Sequence, residues 1–135
     1  MSLDAIQHVY DEWSRGNWRP KFDVYDDGME WGWSDEFPGL GGVFYDPAER
    51  NDRLYEWLSE WEDWRCEAED YVVQGEHVVA LCRYSGRGRG SGAEVETKGA
   101  HVWTMHDGKC VRLVVYADRD RAFASIGLDA RSYPR

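Results

Sequence analysis

The chemistry open to this sequence centres on one imidazole set among rings. In Ala100-His101-Val102-Trp103-Thr104-Met105 the residues alternate, so His101, Trp103 and Met105 share one face of a strand and Ala100, Val102 and Thr104 the other. Imidazole titrates near neutrality and serves as a hydrogen-bond donor or as a general base. The bland alternative is a structural histidine bonded to a neighbour or to water. Glu30, in Met29-Glu30-Trp31-Gly32-Trp33, is a carboxylate that alternation points away from Trp31. Aromatic side chains are the natural walls for such a group. Eight tryptophans stand in the chain; Trp13, Trp57, Trp61 and Trp64 fall on helical stripes, whereas Trp18, Trp31, Trp33 and Trp103 fall nearer loops and strand ends. Tyr10, Trp13, Trp18, Trp31, Trp61, Trp103 and Val115 are the candidate wall residues. Flat rings with few rotors suit a planar or fused-ring ligand.

Other chemistries lack their residues. Cys66, Cys82 and Cys110 are an odd number without CxxC spacing, which predicts reduced thiols rather than disulfides or a zinc site. Neither HExxH nor GxSxG occurs, and no metal or cofactor is expected. The acidic residues Asp23, Asp26, Asp27, Glu30, Asp35 and Glu36 lack the glycine-centred spacing of a calcium loop and read as a solvated rim. His8, His77 and His106 read as surface residues.

The elements that must position these groups follow from periodicity. Leu3, Ile6, Val9, Tyr10 and Trp13 make one stripe of a helix over Leu3 to Arg15, with Ser2 as cap and Gly16 as stop. Trp18 to Val24 reads as a helical turn or two limited by Pro20, Met29 to Trp33 as a strand, and Ser34 to Gly42 as a loop. Asp46-Pro47-Ala48-Glu49 starts a second helix reaching about Trp61, with Leu54, Trp57, Leu58 and Trp61 buried. The period then changes to two. Arg65 to Val73, His77 to Ser85, Val95 to Met105 and Cys110 to Ala117 read as four strands whose short connections make them an antiparallel meander. Asp118 caps a last helix carrying Ala122, Phe123 and Ile126, stopped by Gly127. The class is α+β, with helices packed on one face of a curved sheet.

A chain of 135 residues with 42% hydrophobic and 31% charged residues makes one domain, with an ordered core over 3–128 and a tail over 129–135. Its net charge of -10 repels phosphate backbones and anionic lipid surfaces, so neither nucleic acid nor membrane is an expected partner. The start Met1-Ser2-Leu3-Asp4 has no basic or apolar run, and the expected location is cytoplasmic.

Several segments together carry a resemblance: Tyr10-Asp11-Glu12-Trp13-Ser14-Arg15-Gly16-Asn17-Trp18, Met29-Glu30-Trp31 after an acidic turn, and Gly86 to Gly92. Ala100 to Met105 running into Asp107-Gly108-Lys109, Val115-Tyr116-Ala117-Asp118-Arg119, and Ile126-Gly127-Leu128 complete it. In this order they resemble the SnoaL-like polyketide cyclase branch of the nuclear-transport-factor-like superfamily, which includes ketosteroid isomerase. The resemblance implies a cone-shaped, curved, largely antiparallel mixed sheet wrapped around N-terminal helices, an apolar pocket at its open end, and homodimers through the outer sheet face. It sets His101 where the isomerase pattern has its oxyanion-donating acid. The isomerase base position falls on Trp31, beside Glu30, and the isomerase tyrosine falls on Val9, one place before Tyr10. The acid of the epoxide-hydrolase pattern falls near Val115, with Val111 and Leu113 on the same face; a bulge would turn Arg112, Val114 and Tyr116 inward instead.

The expected function is therefore a SnoaL-like binding domain for an apolar cyclic, polyketide- or terpenoid-like molecule. An alternative is a cyclase or isomerase that takes a proton beside a carbonyl, with His101 and Glu30 as candidate catalytic groups. Another is a structural dimerisation module using exposed Val102, Val114 and Tyr116.

Overall fold

The computed structural model describes residues 3–18, 23–37, 43–45 and 47–129. The order is α1 (Asp4–Ser14), β1 (Tyr25–Trp33), β2 (Val43–Tyr45), α2 (Pro47–Ser59), β3 (Trp61–Gln74), β4 (His77–Gly88), β5 (Glu94–His106), β6 (Lys109–Tyr116) and α3 (Arg119–Ser125). The proposed caps Ser2 and Asp46, the segment 19–22, the loop residues 38–42 and the tail from 130 lie outside the described residues.

The strands form one six-stranded sheet in the order β2-β1-β6-β5-β4-β3. From β3 to β6 it is the meander that the turn spacing predicts. Asp107 (φ 50°) and Gly108 (φ 77°) both lie in the left-handed region, the geometry a two-residue hairpin needs to match strand twist. Beyond β6 the next strand is β1, which runs parallel to it and pairs Trp31 with Leu113 and Trp33 with Val115. That pairing joins strands about eighty residues apart, and makes the sheet mixed.

Bulges bend it. β3 slips against β4 between Glu62 and Arg65 and again between Ala68 and Asp70, and an extra residue on one strand raises local twist and curvature. A further slip, opposite Thr104 and Met105, makes Val111 the bulged residue, and beyond it Leu113 and Val115 face inward. Val115 rather than Tyr116 therefore belongs to the inner face.

The inner face closes on α1. Ile6, Val9, Tyr10 and Trp13 form its buried stripe against Val78, Ala80, Cys82, Trp103, Leu113 and Val115. Gly16 (φ 80°) ends the helix as anticipated. The second helix stops two residues earlier than its pattern suggests. Trp61 opens β3 instead of closing α2, and its ring stands 5.5 Å from Trp57 and 4.9 Å from Trp64.

The third helix corrects the one-face arrangement. Asp118 caps it, its carboxylate accepting from the Asp120 N–H, and Ala122 and Phe123 pack with Val79, Leu81, Ala100 and Val102 on the opposite side of the sheet. Val102, expected to be exposed for dimerisation, is buried there. The outer surface of β3 to β5 carries ion pairs, Arg83 with Glu67 and Glu96, and Lys98 with Glu69. Among the described residues no helix is long and apolar enough to cross a membrane.

Arg119, the first residue of α3, ties this helix to the backbone beneath the inner face. Its buried guanidinium donates to the carbonyls of Gly99 and Cys82, each at 3.0 Å, and to the Glu69 carboxylate at 2.7 Å. Gly99 has no room for a side chain there. A Cβ would lie 2.4 Å from the Tyr116 carbonyl oxygen and 2.5 Å from the Tyr84 ring.

Arg119→Met should destabilise the fold by about 2–4 kcal/mol in urea unfolding, because two carbonyls and a carboxylate lose their donor. Glu69→Gln should cost less, its side chain being 38% exposed. The hydrogen bond from Arg119 holds the Glu69 carboxyl below its ordinary pKa. Its stabilisation is accordingly complete above the unfolded-state pKa and lost as pH falls through the folded one. Unfolding across the acid range should show this dependence in the wild type and lose it in Glu69→Gln.

Candidate functional site

His101 stands in the middle of the inner face. Across the sheet it lies in the row Tyr71, Ala80, His101, Val115, Trp33. The small Ala80 beside it leaves space for the imidazole. The residue is only 3% exposed, so its ring nitrogens need partners inside the protein. Tyr10 supplies one, with its hydroxyl 2.7 Å from Nδ1. Trp103 donates its indole N–H to the same hydroxyl at 2.8 Å. An indole nitrogen only donates, so the Tyr10 oxygen accepts from Trp103, and its own proton serves Nδ1 when the neutral imidazole carries hydrogen on Nε2. Burial pushes the Tyr10 phenol well above its ordinary pKa, so it stays a neutral hydroxyl.

Rings surround this chain of bonds. Tyr10 is stacked on His101 at 5.6 Å, and Trp13 and Tyr84 approach the imidazole at 5.8 Å each. Trp13, Trp18, Trp31, Trp33, His101 and Val115 line a hollow of about 50 Å³, closed further by Phe37, Leu54, Trp57, Trp64, Cys66 and Tyr84. That is room for one or two water molecules; sites for drug-sized molecules span about 300–1,000 Å³. The indole N–H groups of Trp13 and Trp31 have no acceptor among the described residues. On Trp31 sits the buried Arg50 guanidinium, 4.3 Å from the ring centroid. Burial lowers the Arg50 pKa, and the negative face of the indole offers partial compensation.

Of the candidate walls, Trp13, Trp18, Trp31 and Val115 line the hollow. Tyr10 and Trp103 sit behind His101 and hold it, and Trp61 lies outside among the α2–β3 rings. Glu30 does not come to the site. Its side chain is 60% exposed and faces Arg112 at 3.8 Å on the outer side, where alternation opposite the inward Trp31 places it. His106 is exposed beside Asp107, and His77 meets the Thr104 hydroxyl at 3.1 Å.

Two residues that spacing did not nominate do reach the site. Cys66 on β3 and Cys82 on β4 are buried with His101, and their sulfurs and an imidazole nitrogen all lie within 4.8 Å of one another. Burial pushes both thiols up. For Cys82 the hydrogen bond with Cys66, then the charge and hydrogen bonding of His101, outweigh it and the net shift is downward, while Cys66 is raised. Alternation in β4, which puts Val78, Ala80, Cys82 and Tyr84 on one face, was the signal for Cys82.

Tyr10→Phe should cost about 1–3 kcal/mol in denaturant unfolding, since it leaves the Trp103 N–H and His101 Nδ1 buried without their partner. A change within 0.5 kcal/mol would show that water replaces the hydroxyl.

The fold has many solved relatives. One is an NTF2-like protein of unknown function from Burkholderia pseudomallei K96243, 19% identical, with a TM-score of 0.76 over 94% of this chain and 99% of that one. Another is TerC, co-crystallised with polyporic acid, 22% identical, with a TM-score of 0.70 over 91% and 95%. A putative SnoaL-like polyketide cyclase from Jannaschia sp. CCS1 is 19% identical, with a TM-score of 0.65 over 98% and 92%. No curated protein matches the sequence. The family model for the SnoaL-like domain matches residues 6–113, and with the bent sheet around α1 and the inward histidine on β5 in place, the chain belongs to the SnoaL-like domain family.

Proposed function

We propose that this SnoaL-like domain binds an apolar cyclic small molecule carrying a carbonyl or hydroxyl oxygen, with His101 as the polar contact. The observation that carries the reading is a buried histidine on the wall of an otherwise apolar, ring-lined hollow. A hollow of about 50 Å³ does not hold a ring system, so entry requires the half-buried rings of Trp18, Phe37, Trp57 and Trp64 to swing aside. Ligand contacts then replace the ring contacts given up, and a ligand oxygen offers an acceptor to the Trp13 or Trp31 indole. The fold relative TerC, crystallised with polyporic acid, supports a cyclic ligand.

Among the described residues no carboxylate lines the hollow. Proton abstraction beside a carbonyl would therefore use His101 itself as the base. The three free cysteines suit a reducing compartment such as the cytoplasm. A homodimer through the outer sheet face belongs to the same proposal, with the ion-pair ladder of β3 to β5 as its matching surface. Sedimentation should then give twice the 15.7 kDa chain mass, and a monomer at micromolar concentration would remove it.

Titration of tryptophan emission with a panel of polycyclic ketones, quinones and terpenoids tests the ligand. At least one should quench saturably, and His101→Ala, with its fold checked by circular dichroism, should bind it about tenfold or more weakly. Absence of quenching across the panel, or unchanged affinity in His101→Ala, overturns the assignment. Deuterium exchange beside the carbonyl of the bound molecule distinguishes an enzyme from a binding module.

A further inference from the structure

We propose that Cys66, Cys82 and His101 form a binding site for a thiophilic divalent cation, zinc above all. The three residues come from adjacent strands, β3, β4 and β5, at diagonally neighbouring positions of the inner face. Cys66 pairs with Tyr84, two places from Cys82, and Cys82 pairs with Gly99, two places from His101. Diagonal neighbours on a twisted sheet lie within side-chain reach. Their donor atoms already lie within 4.8 Å of one another. Tetrahedral zinc with bonds of about 2.3 Å to sulfur and about 2.0 Å to nitrogen needs separations of about 3.5–3.8 Å. Closing that gap takes about 1 Å, within the range of side-chain rotation.

Charge selects the ion. Two thiolates and a neutral imidazole around a divalent cation sum to zero, the state that an apolar interior tolerates best; a monovalent ion would leave a buried net negative charge. Sulfur and imidazole together suit zinc and reject hard cations such as magnesium or calcium. Two thiol protons leave to solvent as the ion binds.

The surroundings fit as well. Cys66 and His101 both face the hollow of about 50 Å³, which gives an ion and one further small ligand somewhere to sit. Three protein ligands with such a remaining position is the arrangement of zinc sites that take an outside molecule. With zinc on Nε2 the imidazole proton sits on Nδ1 and is donated to the Tyr10 oxygen, so Tyr10 holds the imidazole plane, as an outer partner does in zinc sites. Arg119 fixes the Cys82 backbone from behind through its carbonyl. The site was invisible in spacing, because 15 residues lie between Cys66 and Cys82 and 18 between Cys82 and His101. It does not depend on the organic ligand, although the two share His101.

Titration of the reduced, full-length protein with cobalt(II), followed by competition with zinc, is the direct test. One cobalt ion per chain should give a thiolate-to-metal charge-transfer absorption, displaced stoichiometrically by zinc. Cys66→Ala and Cys82→Ala should each weaken zinc binding at least 100-fold, while Cys110→Ala, whose thiol bonds to the Arg112 carbonyl away from the cluster, should bind as the wild type does. Cadmium-113 NMR of the wild type covers the case in which the alanine variants do not fold, since the shift reports the number of sulfur ligands; two are expected. Absence of a charge-transfer band, a cadmium shift without sulfur, or a band that survives when Cys66→Ala and Cys82→Ala are combined in one folded chain overturns the proposal. The metal titrations contain no organic ligand, so failure of the quenching panel leaves their outcome untouched.

Discussion

A histidine sealed among aromatic rings must find its hydrogen bonds inside the protein, and the Tyr10 hydroxyl is where this chain finds one. That oxygen takes the Trp103 indole N–H and serves His101 Nδ1. The partners lie 91 and 93 residues away, so two short bonds fix α1 against the centre of β5. Apolar packing alone tolerates a helix that slides or rotates by some degrees. A buried polar group does not, because each lost bond costs about 1–3 kcal/mol. The helix stripe Ile6, Val9, Tyr10 and Trp13 is thereby held in one register, and with it the position of every ring that leans on Trp13.

From that anchor the interior divides by depth. Near α1 the inner face is closed and hydrogen-bonded. Toward Trp18, Phe37 and Trp57 the rings are half-buried and meet mostly by their edges and faces, as in the Trp57–Trp64 and Phe37–Trp57 contacts. Contacts of this kind cost less to exchange than a covered polar network does, which is why ligand entry is assigned to this side. The indoles of Trp13 and Trp31, whose N–H groups find no acceptor among the described residues, line the hollow. On the far face of the sheet the logic is reversed. Arg119 and α3 cover the backbone behind Cys82 and Gly99, and charged pairs run across β3 to β5 beside them.

The same division explains why three donors of a potential metal site lie together without any motif. A sheet places side chains from neighbouring strands side by side whatever their separation in sequence. Spacing rules written for one loop or one helix cannot register such a set.

What the sequence determined by itself was local: which residues share a face. Alternation put His101, Trp103 and Met105 together, Asp107-Gly108 fixed a hairpin, and the stripe through Tyr10 and Trp13 marked a buried helix face; all three stand in the structure. The resemblance supplied the overall shape. Only the tertiary structure decided that β1 runs parallel beside β6, that α3 covers the other face, that Trp61 begins a strand, and that the bulge at Val111 leaves Val115 inward. It also decided that the hollow is small and that two cysteines border the histidine. Periodicity records the angle of each side chain about its own element. Distances between elements depend on how curvature, bulges and ring packing close the sheet around α1, and those belong to the whole chain at once.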